Sequence, residues 1–255
     1  MKIRVIGCSG AEFPGHNIPA FLLDDIILFD AGSFTNVLDE KAQLRIKDIF
    51  ITHAHLDHIR SIPFLADNII VGKMGHKISI FSIPPVLRAI KLHLFNSSMW
   101  PDFTVIPHPD DAILNLVEIK IGRPLRVNSY AITAYKVAHT VPAVGYLVED
   151  ESGRRFFYTG DTGPSFRTWK QIGKRQLHCL IIDVSFPNSM RDMALKAGHL
   201  TPELLREELA QMSLLPERIY ITHPKPQHRR VIEKELKDLK LRNLSLLRDG
   251  DVITV

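Results

Sequence analysis

Cysteine is scarce in this chain: among 255 residues only Cys8 and Cys179 occur, far apart and each in an apolar context. That argues against a disulfide framework and suits reduced thiols in a cytoplasmic protein. No stretch approaches the roughly 20 apolar residues needed to span a bilayer, so no membrane partner is expected. The opening segment, Met1 to Gly7, lacks an uninterrupted apolar core and reads as a first strand, not a secretory signal. Linkers and low-complexity segments are also missing, which leaves a single domain over residues 1–255. What remains is an ordinary globular balance, 45% hydrophobic and 24% charged.

The net charge of +4 is local in origin. Between Lys225 and Arg242 lie seven basic residues and three acidic ones, a surplus equal to the excess of the whole chain. Val231, Ile232, Leu236 and Leu239 fall at helical spacing in the same stretch, so it reads as an amphipathic helix with a solvated basic face. An electrostatic strip for RNA is the competing reading.

Residues 53–58, His-Ala-His-Leu-Asp-His, concentrate the chemistry. Imidazole and carboxylate are the donors that Zn²⁺ and similar divalent ions prefer. The run follows Ile49-Phe50-Ile51, which reads as a buried strand. Spacing two apart sends His53 and His55 to one side as the strand ends, and Asp57 and His58 can turn toward a second ion. A surface histidine cluster is the bland alternative.

Two echoes suggest duplication. Ile49-Phe50-Ile51-Thr52-His53 nearly recurs as Ile219-Tyr220-Ile221-Thr222-His223, which makes His223 the counterpart of His53. The segment from Phe21 to Gly32 resembles that from Tyr146 to Gly163, each a strand, a polar turn, a strand and then Asp-small-Gly, with Asp30 echoing Asp161. The duplication nominates the donors that two ions require from elsewhere: His139 after an alternating strand, Asp161 at a hairpin tip, and His223. Asp30 is expected to orient an imidazole from behind. Thr201 and Pro202 should cap and open one helix, Pro226 another, and Phe34 to Leu44 should hold a third. Residues 83–124 hold six of the sixteen prolines and read as irregular cover over the site. Strands interleaved with helices argue for a layered α/β fold.

With these residues in place, the chain resembles the metallo-β-lactamase superfamily. That resemblance implies an αββα four-layer sandwich of two pseudo-duplicated halves and a dinuclear site. One ion would take His53, His55 and His139, the other Asp57, His58 and His223, with Asp161 bridging. A hydroxide shared by the ions would be the nucleophile. The donor set suits Zn²⁺ best, and Mn²⁺ or Fe also occupy such sites.

Gly198-His199-Leu200-Thr201 looks like the accessory histidine motif of the phosphodiesterase branches, which makes His199 a general acid. It stands with Asp57 as the expected catalytic pair. Phe95 to Pro101, Asp183 to Asn188 and Ile221 to Pro226 are similar to class II cyclic-nucleotide phosphodiesterases. Trp100 could stack on a purine or fill core, and Asn96 or Asn188 could bond ribose or phosphate. The expectation is therefore hydrolysis of a 3′,5′-cyclic nucleotide, cAMP by preference, to the 5′-monophosphate. A ribonuclease Z-like tRNA 3′-end endonuclease is the alternative, favoured by the basic strip and opposed by the lack of a long Gly/Pro-rich arm. Another hydrolase of the same fold, or a metal-folded binding protein without turnover, completes the set. A homodimer paired through the Pro-rich segment is one arrangement the sequence leaves open.

Overall fold

The computed structural model describes residues 1–72 and 75–255. Its first half forms β1 (Lys2–Gly7), β2 (Ala20–Leu23), β3 (Ile27–Phe29), β4 (Asp48–Phe50), β5 (Ile78–Ser82) and β6 (Leu114–Glu118). The second half forms β7 (Pro124–Val127), β8 (Tyr130–Lys136), β9 (Val144–Glu149), β10 (Arg155–Tyr158), β11 (Cys179–Asp183), β12 (Arg218–Thr222) and β13 (Leu244–Leu246). Strand β14 (Val252–Thr254) returns to pair with β1. Two seven-stranded sheets result, ordered β14-β1-β2-β3-β4-β5-β6 and β7-β8-β9-β10-β11-β12-β13. In each sheet the first pairings are antiparallel and those from β3 or β10 onward are parallel.

Helices cover the outer faces, as parallel strands buried on both sides require. In chain order they are α1 (Glu40–Gln43), α2 (Leu56–Ile59), α3 (Ser61–Val71), α4 (Pro84–Ala89), α5 (Phe166–Ile172), α6 (Arg191–Ala197), α7 (Pro202–Ala210) and α8 (Arg229–Asp238). Side chains alternate across the second sheet: Phe156, Tyr158 and Ile181 enter the core between the sheets, while Phe157, Leu180 and Ile182 pack under the helices. Phe29 meets Phe156 edge-on across the sheets at 5.7 Å between ring centroids. Trp169, Leu205, Leu209 and Ile232 close the outer layer of the second half. The architecture is the αββα sandwich.

Thr201 caps α7 by accepting from the Leu204 N–H at 3.3 Å, as its sequence suggests. On α8, Ile232 and Leu236 are buried and Arg230, Lys234 and Lys237 are exposed, whereas Arg229 turns back to donate to Leu247 O at 2.6 Å. The stretch 83–124 carries α4, a π-helical turn over Ile90–Leu94 and the edge strand β6. The expected helix within 34–44 is confined to the single turn α1, whose N-cap is Asp39.

Strand topology corrects one echo. Counted along each sheet, β4 corresponds to β11, not to β12, so His53 and His223 are not positional duplicates. Both strands are short, parallel and buried, and that shared environment selects similar apolar words. The hairpin echo holds, with a shifted register. Asp30 N–H donates to Phe50 O at 2.9 Å and Thr159 N–H to Ile181 O at 3.0 Å, so Asp30 matches Thr159 and not Asp161.

Candidate metal centre

The site forms where β4 runs out toward α2. His53 follows the strand, His55 stands at the helix N-cap, and Asp57 and His58 lie in its single turn. His139 arrives from the β8–β9 loop, Asp161 from just past β10, and His223 from just past β12. One ligand atom from each of His53, His55, His139 and Asp161 lies within 4.8 Å of the others, and the same holds for Asp57, His58, Asp161 and His223. Asp161 belongs to both groups. Its Oδ2 stands 3.6 Å from His53 Nε2 and 4.0 Å from His139 Nε2, whereas its Oδ1 stands 3.3 Å from His58 Nε2 and 3.4 Å from His223 Nε2. Each carboxylate oxygen therefore faces a different pair of histidines.

Each of several rings is fixed from behind through Nδ1. His53 meets Thr52 Oγ1 at 3.0 Å, His58 meets Asp30 Oδ2 at 2.7 Å, His139 meets Gly198 O at 2.9 Å and His223 meets Ser185 Oγ at 2.8 Å. That leaves Nε2 of each facing inward, the arrangement metal-binding imidazoles use. Asp30 also accepts from Thr52 N–H at 2.8 Å and Tyr158 O–H at 2.7 Å. Asp30 (φ 55) and His223 (φ 67) both hold left-handed backbone, a cost of about 1–2 kcal/mol each that surrounding structure must offset.

Electrostatics favour the same outcome. Burial opposes ionisation of Asp161, yet His223 and His58 hold its carboxyl well below the usual range. Burial likewise opposes ionisation of Asp57, and His58 and His223 overcome it. For His58 burial disfavours the cation, but Asp161, Asp30 and Asp57 together push its pKa well above normal. Burial lowers His53, His55 and His139, with neighbouring imidazoles adding to the effect. Ionised carboxylates and the neutral rings of His53, His55 and His139 are forms that ligate cations, whereas His58 would have to release its proton to a cation bound there. Fit to a metal is supported by His53 Nε2, His58 Nε2 and Asp161 Oδ1, buried atoms with no well-formed hydrogen bond, the last two meeting only as an ion pair at 3.3 Å. Such orphaned atoms are costly unless something else satisfies them, and paired divalent cations would.

His199 lies on the rim of this centre, its ring centroid 5.2 Å from those of both His139 and His223. Its Nδ1 bonds Asp183 Oδ2 at 2.8 Å. Burial works against its protonated form, and Asp183 overcomes this and raises its pKa.

The sequence model of a family described as a beta-lactamase superfamily domain matches residues 27–223. The chain belongs to this superfamily. Among curated superfamily relatives, a probable 3′,5′-cyclic-nucleotide phosphodiesterase of Yersinia pestis is 29% identical over 184 residues, 66% of this chain and 51% of that protein. A 3′,5′-cyclic-nucleotide phosphodiesterase of Aliivibrio fischeri is 27% identical over 252 residues, 80% of this chain and 73% of that protein. A ribonuclease Z of Pyrococcus horikoshii is 30% identical over 165 residues, 62% of this chain and 50% of that protein. The match thus spans about half the length of the Yersinia and Pyrococcus relatives, at 51% and 50%. In fold, unliganded yeast PDE1 superposes with a TM-score of 0.86 at 19% identity, covering 100% of this chain and 99% of that one. Human tRNase Z, short form, gives 0.72 at 20% identity with 100% and 99% coverage.

The three residues nominated for substrate have other contacts of their own. Asn96 turns its amide onto its own loop, donating to Leu92 O at 3.1 Å and accepting from Met99 N–H at 2.7 Å. Asn188 Oδ1 accepts from Glu203 N–H at 2.8 Å, which ties it to the first turn of α7. Trp100 packs edge-on to Phe64 of α3 at 5.4 Å between centroids and is partly buried against the core of the first half. Four supporting positions described above escaped sequence reasoning as site residues: Thr52, Asp183, Ser185 and Gly198. Asp183 ends the apolar strand β11 just as Thr52 follows β4, and its N–H donates to Thr159 Oγ1 at 3.4 Å. A carboxylate closing a fully apolar run was the available signal.

Proposed function

We propose that this chain is a metal-dependent phosphodiesterase that opens 3′,5′-cyclic nucleotides, cAMP foremost, to 5′-monophosphates. The observation carrying this reading is the pair of donor trios about Asp161 with the Asp183-supported His199 at their rim. His53, His55 and His139 would hold one divalent cation and Asp57, His58 and His223 the other, with Asp161 shared. Zn²⁺ suits these donors best, with Mn²⁺ or Fe as alternatives. When bound, such ions supply Lewis acidity to phosphoryl oxygens and lower the pKa of water.

The chain's own residues do the rest. Attack of a water oxygen on phosphorus breaks the bond to O3′, and His199 passes its proton to that departing oxygen. Asp183 holds the imidazole in the orientation and charge state required. Asp30, Thr52, Ser185 and the Gly198 carbonyl keep the ligand rings aimed inward. The two cyclic-nucleotide relatives support the substrate class, one of them along 80% of this chain. The ribonuclease Z relative and the exposed basic face of α8 favour the second reading, RNA 3′-end cleavage. Buried, unpaired Cys8 and Cys179 support a reducing, cytoplasmic setting.

Metal-loaded protein and His199→Ala should be assayed on cAMP, cGMP, bis(p-nitrophenyl) phosphate and pre-tRNA. Wild type should turn over cyclic nucleotides. The variant should keep its metal and lose about 10²–10⁴-fold on cAMP, with a smaller loss on the p-nitrophenyl ester, whose leaving group needs no proton. Turnover of pre-tRNA without cyclic-nucleotide hydrolysis would replace the first reading by the second.

A further inference from the structure

A groove of about 760 Å³ opens beside the candidate centre, lined by His139 and the rest of the β8–β9 loop. Its apolar walls include Ile83, Pro84, Ile119, Ile121 and Val141, and Lys120 and Lys136 also border it. Ile83 directly follows β5 and Ile119 directly follows β6, so the groove continues the rim of carboxyl strand ends on which His53 sits after β4. Ligands of open α/β sheets bind along such rims. The loop is fastened there, since Val144 N–H donates to Thr52 O at 3.0 Å, one residue before His53.

We propose that this groove seats the nucleoside of a mononucleotide whose phosphate lies at the metal centre. The proposal rests on the phosphodiesterase reading above and deepens it. The volume lies within the roughly 300–1,000 Å³ of small-molecule sites, which combine apolar walls with few polar groups. Aliphatic side chains and prolines offer a flat base a surface that displaces water. Exposed Lys120 and Lys136 give the groove a positive potential that an anionic nucleotide matches and a neutral apolar ligand does not need. The position also answers a mismatch: Asn96 and Asn188 have their side chains engaged in backbone contacts elsewhere.

Ile121 is 42% exposed, so Ile121→Glu places a carboxylate in the groove without opening the core. Thermal melts should match wild type. The variant should raise KM for cAMP about tenfold with kcat nearly unchanged, the pattern of lost uniform binding. Methyl p-nitrophenyl phosphate, which has no nucleoside, should be hydrolysed as before. Calorimetry with adenosine 5′-monophosphate should show binding weakened to a similar degree. Unchanged KM for cAMP and unchanged nucleotide affinity would overturn the proposal, as would an equal loss on both diesters. An effect confined to pre-tRNA would assign the groove to RNA and overturn it too. If wild type cleaves no diester, the phosphodiesterase reading fails by itself, and the calorimetric comparison still decides whether the groove holds a nucleotide.

Discussion

Gly198 carries two duties in one residue. Its carbonyl fixes His139 Nδ1 at 2.9 Å, and its left-handed backbone (φ 70) ends α6 so that His199 can turn toward Asp183. A Cβ there would stand 2.9 Å from His139 Nδ1. Gly198→Ala should therefore weaken binding of added zinc at the His53, His55 and His139 group by about 10–100-fold, the usual loss when a ligand's supporting partner is disturbed. Gly173→Ala is the control, because that residue is also left-handed (φ 64) but its nearest neighbour, Lys170 O, would be 3.8 Å from the new atom. Both variants should lose stability, because alanine is strained at either positive φ. Competitive titration against a chromophoric chelator separates them, and equal zinc affinity in both would remove the special role of Gly198.

Among elements, the joint between α5 and α7 has its own titration. Glu208 is buried on α7, and its Oε2 accepts from Ser165 N–H at 2.8 Å and Trp169 Nε1 at 2.6 Å. Burial raises its pKa above the ordinary 4.5 despite those two bonds. Below 4.5 both folded and unfolded chains hold the proton. As pH rises the unfolded chain releases it first, so stability falls until the folded carboxyl has also ionised. Glu208→Gln keeps an oxygen for both donors and removes this loss. Its Tm should exceed wild type near neutrality by a few degrees at most, and the difference should close near pH 4. A constant difference across pH would mean that packing, not ionisation, sets the effect. The elements themselves were largely visible beforehand: Thr201-Pro202 opens α7, and Ile232 with Leu236 marks the inner face of α8. The helix sought in 34–44 shrank to one turn, because Asp39 caps only its last part.

At the scale of the whole molecule, the donors tie distant parts of the chain. His55 and His139 lie 84 residues apart and Asp57 and His223 lie 166 apart, yet each pair approaches within 3.3 Å. Cations bound there should stabilise the native state by about 2.7 kcal/mol at a hundredfold excess over Kd. Chelation should then lower Tm by about 5–10 °C, a shift checked by calorimetry with and without EDTA and reversed by added zinc. No change in Tm on chelation of analytically loaded protein would contradict the metal assignment. The same scale explains the misplaced echo. Matching words in β4 and β12 come from a common burial, and only the order of strands in the sheets shows that β11 is the partner of β4.

The sequence alone determined what neighbours along the chain can settle: the histidine loop, whose donors fall within six residues, the alternation of strands and the caps of helices. Tertiary structure decided what depends on pairing between strands far apart in sequence. It placed Asp161 between two trios, brought Asp183 behind His199, and tied Asn188 to Glu203 in the first turn of α7. Periodicity and capping act over a few residues and leave a trace in composition, whereas the meeting of side chains across two sheets depends on register and layer order.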